Sequence, residues 1–324
     1  MLQDAAPARG SDETVVDRLL IGAVDLHCHS GPSVMPRKIN HAEAIRQADQ
    51  AGMRGVLFKD HYYSTTPVAE LLKEMLGEER VRILSGIALN NHVGGLNPYA
   101  VEHGLKLGGN LVWMPTISAA NHIRHAHRRK LLPTKVSMSE SIALTVVDVR
   151  GQLLDEVKLI LDLIAEYDSV LATGHLHISE IWPLLEEAKA RGVNRMLINH
   201  PMFLVGASLS DLTELAGMGA YLEHSICQVI DCPSNKFTAD ELDAFIKAGG
   251  VNRTIIGSDL GQSKNPTPVE GFREIIRMCL QLGYGEDEIR RMIGLNACEL
   301  IGIPPLSDGE ALHRAHQATE PSNS

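Results

Sequence analysis

Aromatic residues are scarce in this 324-residue chain: two tryptophans, six tyrosines and five phenylalanines, 4% of the total. That argues against a pocket built as an aromatic cage. Long apolar runs are missing too. No stretch of about 18 consecutive apolar residues occurs, so no membrane-spanning helix is expected. Basic residues form no extended tract and the formal net charge is -10, which speaks against nucleic acid or an anionic membrane as partner. Five cysteines, Cys28, Cys227, Cys232, Cys279 and Cys298, contain no C-x-x-C pair. The N-terminus lacks the basic-then-apolar order of a leader, so they are expected as reduced thiols in a cytoplasmic protein. A phosphate-cradling loop is also wanting, because "GGLNP" and "SGPS" lack the lysine and helix context of one.

What the chain does have is alternation. Short β-rich runs at Ile21–Leu26, Arg54–Phe58, Val81–Ala88, Asn110–Met114, Val170–Thr173, Arg195–Ile198, Ala220–Leu222 and Arg253–Ile256 are separated by amphipathic helical patterns. Eight such units predict an α/β fold, a parallel sheet closed as a (β/α)8 TIM barrel, in preference to an open doubly wound sheet. An open sheet should show a glycine fingerprint after an early strand, and "DLHCHSGPS" is none. Residues 1–18 are expected as a disordered lead, 19–305 as the barrel and 306–324 as a loose polar tail. One segment, 116–150, breaks the rhythm after the fourth strand. Within it "IALTVVDVRGQLL" reads as a small hairpin, and an insertion at that end of a strand would form a lid or substrate wall.

The strand ends carry the chemistry. The first ends in His27 and His29, the second in Lys59, Asp60 and His61, the third in Asn90, Asn91 and His92. The fourth gives Met114, Pro115 and Thr116, with no strong ligand. The fifth ends in His175 and His177, the sixth in Asn199 and His200, the seventh in Glu223 and His224, the eighth in Asp259. A lone histidine at a strand end is more often structural than a ligand. Convergence of many at one barrel mouth, without thiolate clusters, suits a catalytic transition-metal site with open positions. Alternation along the first strand places Asp25, His27 and His29 on one face, with Leu26 and Cys28 on the other, so Cys28 is a packing residue.

On these residues the chain resembles the amidohydrolase superfamily of metal-dependent barrel hydrolases over roughly residues 20–305. "KDHYYSTTPVAELL" and "TGHLHISE" look most like an uncharacterised branch of it, with a resemblance to the diiron thioesterase of platensimycin-type biosynthesis. The resemblance implies one or two divalent ions, zinc, iron or manganese. His27, His29 and Asp259 would hold the more buried ion, and His200 with His175 or His177 the second, His175 being preferred. The usual bridge at the fourth strand is absent. Lys59 and Glu223 are substitutes for it, or a substrate clamp and a partner of a histidine, respectively. Asp259 would move the proton, and His200 and His224 are catalytic candidates as carbonyl polarisers. His61, Asn90, His92, His122 and His177 are candidates for gripping a small-molecule substrate, with Asn91 and Asn121 beside them. The implied reaction is hydrolysis of an ester, thioester, lactone or amide, a CoA-type thioester among them. Alternatives are a phosphoesterase of the polymerase-and-histidinol-phosphatase type, a metal-dependent decarboxylase, and a metal-binding scaffold without turnover. The phosphoesterases usually end in an Asp-x-His pair, where this chain has Asp259 and Gly261. A homo-oligomer is compatible with the sequence.

Overall fold

The computed structural model describes residues 11–78, 80–126 and 134–319. Strands β1 (Val24–Cys28), β2 (Gly55–Phe58), β3 (Arg82–Leu84), β4 (Gly86–Ala88), β5 (Leu111–Trp113), β6 (Val170–Ala172), β7 (Met196–Asn199), β8 (Tyr221–Ser225) and β9 (Thr254–Gly257) pair in chain order, every pair parallel. β3 and β4 are two halves of the third stave of an eight-stave barrel. The ladder breaks at Ser85, where the Thr65 hydroxyl donates to Phe58 O (2.9 Å) and accepts from Gly86 N (3.1 Å). On the other side β9 closes onto β1. Asp259 N donates to His27 O and His29 N to Leu260 O, both at 2.9 Å, and Asp25 Oδ1 accepts from Ser258 N at 2.9 Å.

Inward positions fill the barrel with Val24, Leu26, Leu57, Leu84, Leu111, Trp113, Val170, Leu197, Tyr221 and Ile255. Outward positions pack against the helices in two larger apolar clusters. The period of two then dictates the next inward residue on each stave: Lys59 after Leu57, Asn199 after Leu197, Glu223 after Tyr221. β1 departs from the simple alternation. Its register shifts between Asp25 and Cys28, so Leu26 lies with the interior rather than on the outer face, while Cys28 packs outside as expected. A bulge of this kind re-aims the side chains that follow it.

Several helices begin with side-chain caps from Asn40, Ser208, Thr238 and Thr267. Two terminal expectations are corrected. Ser11–Leu20 is a helix, with Val16, Leu19 and Leu20 buried and Arg273 paired to Asp17 at 2.9 Å, because its apolar residues recur on one face. Residues 1–10 of the expected lead lie outside the described residues. Asp308–Thr319 is also helical, and Arg314 is buried with Nη1 donating to Met53 O at 2.9 Å.

The insertion after β5 begins with a helix at Ala120–Ala126, and 127–133 lie outside the described residues. The hairpin closes around a turn at Asp148–Gly151, with Val147 paired to Leu153. Lys135 N donates to Val34 O at 2.8 Å, so the insertion reaches the loop that follows β1, across the mouth. No helix among the described residues is long and apolar enough to cross a membrane.

Candidate metal centre

At the C-terminal mouth, the neighbouring staves β1 and β9 bring His27, His29 and Asp259 together, their ligand atoms all within 4.8 Å of one another. The Asp259 Oδ1 atom lies 3.3 Å from His27 Nε2 and 3.1 Å from His29 Nε2. The other nitrogen of each ring is already committed. His29 Nδ1 donates to the carbonyl of Lys59 at 3.0 Å, and His27 Nδ1 donates to Glu223 Oε1. A carbonyl and a carboxylate can only accept, so a proton sits on each Nδ1 and each Nε2 is the atom turned toward Asp259. Burial, then the nearby Arg37 charge, brings the His29 imidazole down to about 3, so its ring is neutral at neutral pH. Two imidazole nitrogens and a carboxylate oxygen this close together could hold one cation. A nitrogen, nitrogen and oxygen donor set suits a divalent transition ion, and the fit is met by the residues present.

Glu223 is buried and holds His27 rather than bridging two positions. Its second oxygen accepts from Asn199 Nδ2 at 3.0 Å, and Asn199 Oδ1 in turn accepts from Gly174 N at 3.1 Å. Burial alone would raise the Glu223 carboxyl, but His27 and Lys59 outweigh it and hold it low. Gly257 makes room on the neighbouring stave, since a Cβ there would stand 3.1 Å from Glu223 Cδ. Lys59 rises from the barrel floor fully buried. Its Nζ donates to His27 Nε2 at 2.8 Å and lies 5.1 Å from the Trp113 ring centroid. Burial brings this ammonium down to about 8, against the pull of Asp259 and Glu223. Asp259 is held well below the carboxylate range: burial opposes ionisation, but His27, His29 and His200 overcome it. Its Oδ2 accepts from the Cys227 thiol at 3.5 Å.

A second group of imidazoles adjoins the first. His175 stands 5.0 Å from His200 and 5.9 Å from His61, ring centre to ring centre, and His200 is 6.0 Å from His27. His122, from the inserted helix, stacks on His175 at 4.8 Å with their Nδ1 atoms 2.8 Å apart. His200 Nδ1 is buried without a partner. Burial brings His122 and His200 to about 4 and puts His61 and His175 well below the usual imidazole range, so this group also offers neutral rings. The fourth stave supplies orientation, not a ligand. The His61 Nδ1 atom is 2.8 Å from Thr116 Oγ1. Asn90 ties the two loops together: Nδ2 donates to His61 O (2.9 Å) and Thr116 Oγ1 (2.7 Å), and Oδ1 accepts from Thr116 N and Ser118 N. Asn121 likewise donates to the carbonyls of His175 and Leu204, at 3.1 and 2.8 Å.

Three expected site residues stand elsewhere. His224 follows Glu223 and so points outward, where it stacks on Phe245 at 5.9 Å with Nε2 buried and unpartnered. His177 caps the helix Ile178–Ala190, accepting from Ser179 N at 3.3 Å. His92 lies in the rim turn Asn91–Val93 against Tyr62, 4.4 Å between ring centres. Sequence reasoning passed over Arg37, Cys227 and the role of Asn199. The last was available from alternation on β7. Arg37 sits on an irregular loop and Cys227 in the single 3-10 turn Ile226–Gln228, where no repeated period marks a side chain's direction. A hollow of about 610 Å³ lined by Leu19, Ala23, Ile293 and Leu306 lies at the opposite end of β1, away from the titratable cluster.

The likeness to known proteins is one of fold. An amidohydrolase from Pseudomonas aeruginosa superposes with a TM-score of 0.61 at 12% identity, over 89% of this chain and 98% of that one. The probable dipeptidase PvdM of the same organism gives 0.62 at 10% identity, over 94% and 99%. The 2,6-dihydroxybenzoate decarboxylase from Rhizobium gives 0.52 at 10% identity, over 87% and 99%. The expected amidohydrolase-type barrel is thus present as architecture. No curated protein matches the sequence at a significant level. A family model does, over residues 22–223, a span that takes in His27, His29, Lys59, His175, His200 and Glu223 and stops before Asp259. Since that span is more than half of its length, the chain belongs to DUF6282, a family of unknown function.

Proposed function

We propose that this protein is a metal-dependent hydrolase that cleaves a carbonyl ester, thioester, lactone or amide. One observation carries the reading: His27 Nε2 and His29 Nε2 converge on Asp259 Oδ1 while the Nδ1 of each ring is held by Glu223 and by the Lys59 carbonyl. His27, His29 and Asp259 would hold one divalent ion, and His175 with His200 a second. Such an ion acidifies a coordinated water and polarises a carbonyl. The remaining work falls to the chain. Glu223 keeps the proton on His27 Nδ1 and so keeps Nε2 available. Asp259 Oδ2, which accepts from the Cys227 thiol, is the atom that accepts the proton of the attacking water and returns it to the leaving group. Lys59 places a positive charge beside the reacting carbonyl, where it stabilises a developing oxyanion. The inserted segment, through Lys135 and Val34, walls the mouth and limits water there.

Metal analysis of the purified protein, wild type beside His27→Ala and Asp259→Asn, tests the site. Wild-type protein that holds no ion after reconstitution with zinc, iron or manganese would sink the proposal. A panel of esters, lactones, amides and CoA-type thioesters then tests the reaction. Carbon dioxide release from 2,6-dihydroxybenzoate, without hydrolysis of any panel member, would replace hydrolysis by decarboxylation, since a decarboxylase shares the fold.

A further inference from the structure

The loop after β1 carries a cation that the site described above does not use. The Arg37 side chain is 4% exposed. Its backbone pairs with Gln262, three residues beyond Asp259, and its guanidinium reaches Asp60, which lies between Lys59 and His61. Arg37 is therefore held among the loops that deliver His29, His61 and Asp259. Its bonds do not match its burial. Nη2 has one carboxylate contact, Asp60 Oδ2 at 3.5 Å, and the Met35 thioether at 3.6 Å. Nε is buried with no acceptor at all. Asp60 is itself shared, because its Oδ1 accepts from Tyr62 N at 2.8 Å. A guanidinium has five donors in a rigid fork, and leaving a buried charged donor unmet is unfavourable.

We propose that Arg37 binds an oxyanion carried by the substrate at the end away from the reacting carbonyl, a carboxylate or a phosphate. The planar fork suits either group bidentately. Lys59 adds a second buried cation near the same loops, next in sequence to the Asp60 that Arg37 reaches. The substrate class is then an anionic ester, thioester or amide rather than a neutral one. This refines the hydrolase reading by placing the carbonyl over His27, His29 and Asp259, but acid binding can be measured without turnover.

The test is calorimetric titration of the metal-loaded protein with butyrate, glutarate and 4-phosphonobutyrate, in wild type, Arg37→Gln and Arg37→Lys. All three probes bring one carboxylate to the metal centre, and the last two add a second anion. Wild type should bind glutarate, 4-phosphonobutyrate or both at least about tenfold more tightly than butyrate, and the probe that gains identifies the oxyanion. Arg37→Gln should bind all three alike, and Arg37→Lys should keep only part of the preference, having charge without the fork. No preference in wild type, or an undiminished one in Arg37→Gln, overturns the inference. Should Arg37→Gln fail to fold, full retention of the preference in Arg37→Lys overturns it and partial loss supports it. A preference that depends on Arg37 in a protein that hydrolyses nothing would uphold the oxyanion site and reject the hydrolase.

Discussion

Glu223 accepts the Nδ1 proton of His27 at the floor of the barrel mouth, with both residues buried. The contact fixes which nitrogen of His27 can ligate. Glu223→Gln keeps the shape, removes the charge and leaves one acceptor oxygen for two donors, His27 Nδ1 and Asn199 Nδ2. The expected outcome is a loss of metal affinity of about ten- to a hundredfold, measured by competition with a chelator. Unchanged affinity would mean that Glu223 serves only the packing of the floor.

Asp259→Asn tests the proton at Oδ2. An amide still fits the space but neither takes up a proton nor supplies charge to the ion. Turnover should fall by at least about a hundredfold, with a circular dichroism spectrum like that of wild type. Turnover close to that of wild type with the amide in place would move the general base to another residue.

His224 gives a pH test in the opposite sense to a catalytic role. Burial brings its folded-state pKa to about 4, below the unfolded value of about 6.5. Below about 6.5 the unfolded chain binds a proton that the folded chain refuses. Its stabilising contribution is therefore complete above pH of about 6.5, declines as pH falls toward about 4, and is constant below that. His224→Phe, stacked on Phe245, should lessen the slope of stability against pH in that window by one proton while turnover stays as in wild type. Denaturant melts at a series of pH values measure the slope, and a large loss of turnover would return His224 to the site.

Asn90→Ala should show how the missing fourth-stave ligand is compensated. The change strips acceptors from the buried amides of Thr116 and Ser118 and frees the His61 loop. A destabilisation of about 2–4 kcal/mol is expected from the unmet groups, together with weaker substrate binding. A melt within about 0.5 kcal/mol of wild type would show that the two loops hold each other by other means.

The barrel and its mouth were legible because period-two alternation and strand-end composition are local signals. Residues with regular neighbours on both sides could be assigned a face. Alternation on β8 separates Glu223, inside, from His224, outside, although the sequence alone offered both. His175 and His177 lie two apart and alternation could not choose; the helix that starts at Ile178 did, by taking His177 as its cap. Apart from Asn199 and His224, which regular strands carry, the side chains missed or misplaced lie where the period fails. Leu26 follows from a register shift that leaves no mark in composition. Arg37 sits on an irregular loop and Cys227 in a single 3-10 turn, and Ser11–Leu20 was hidden by its polar first turn.

His200 and Asp259 have one backbone property in common: both sit at left-handed φ, +30° and +47°. A residue with a side chain gives up roughly 1–3 kcal/mol to stay there, and glycine does not. At these two positions the gain from relaxing the chain and the loss of a proposed metal ligand would be the same event. Selection for heat resistance alone would therefore run against the proposed site, and glycine at either position in a relative of this chain would mark a barrel that had traded that site for a relaxed backbone.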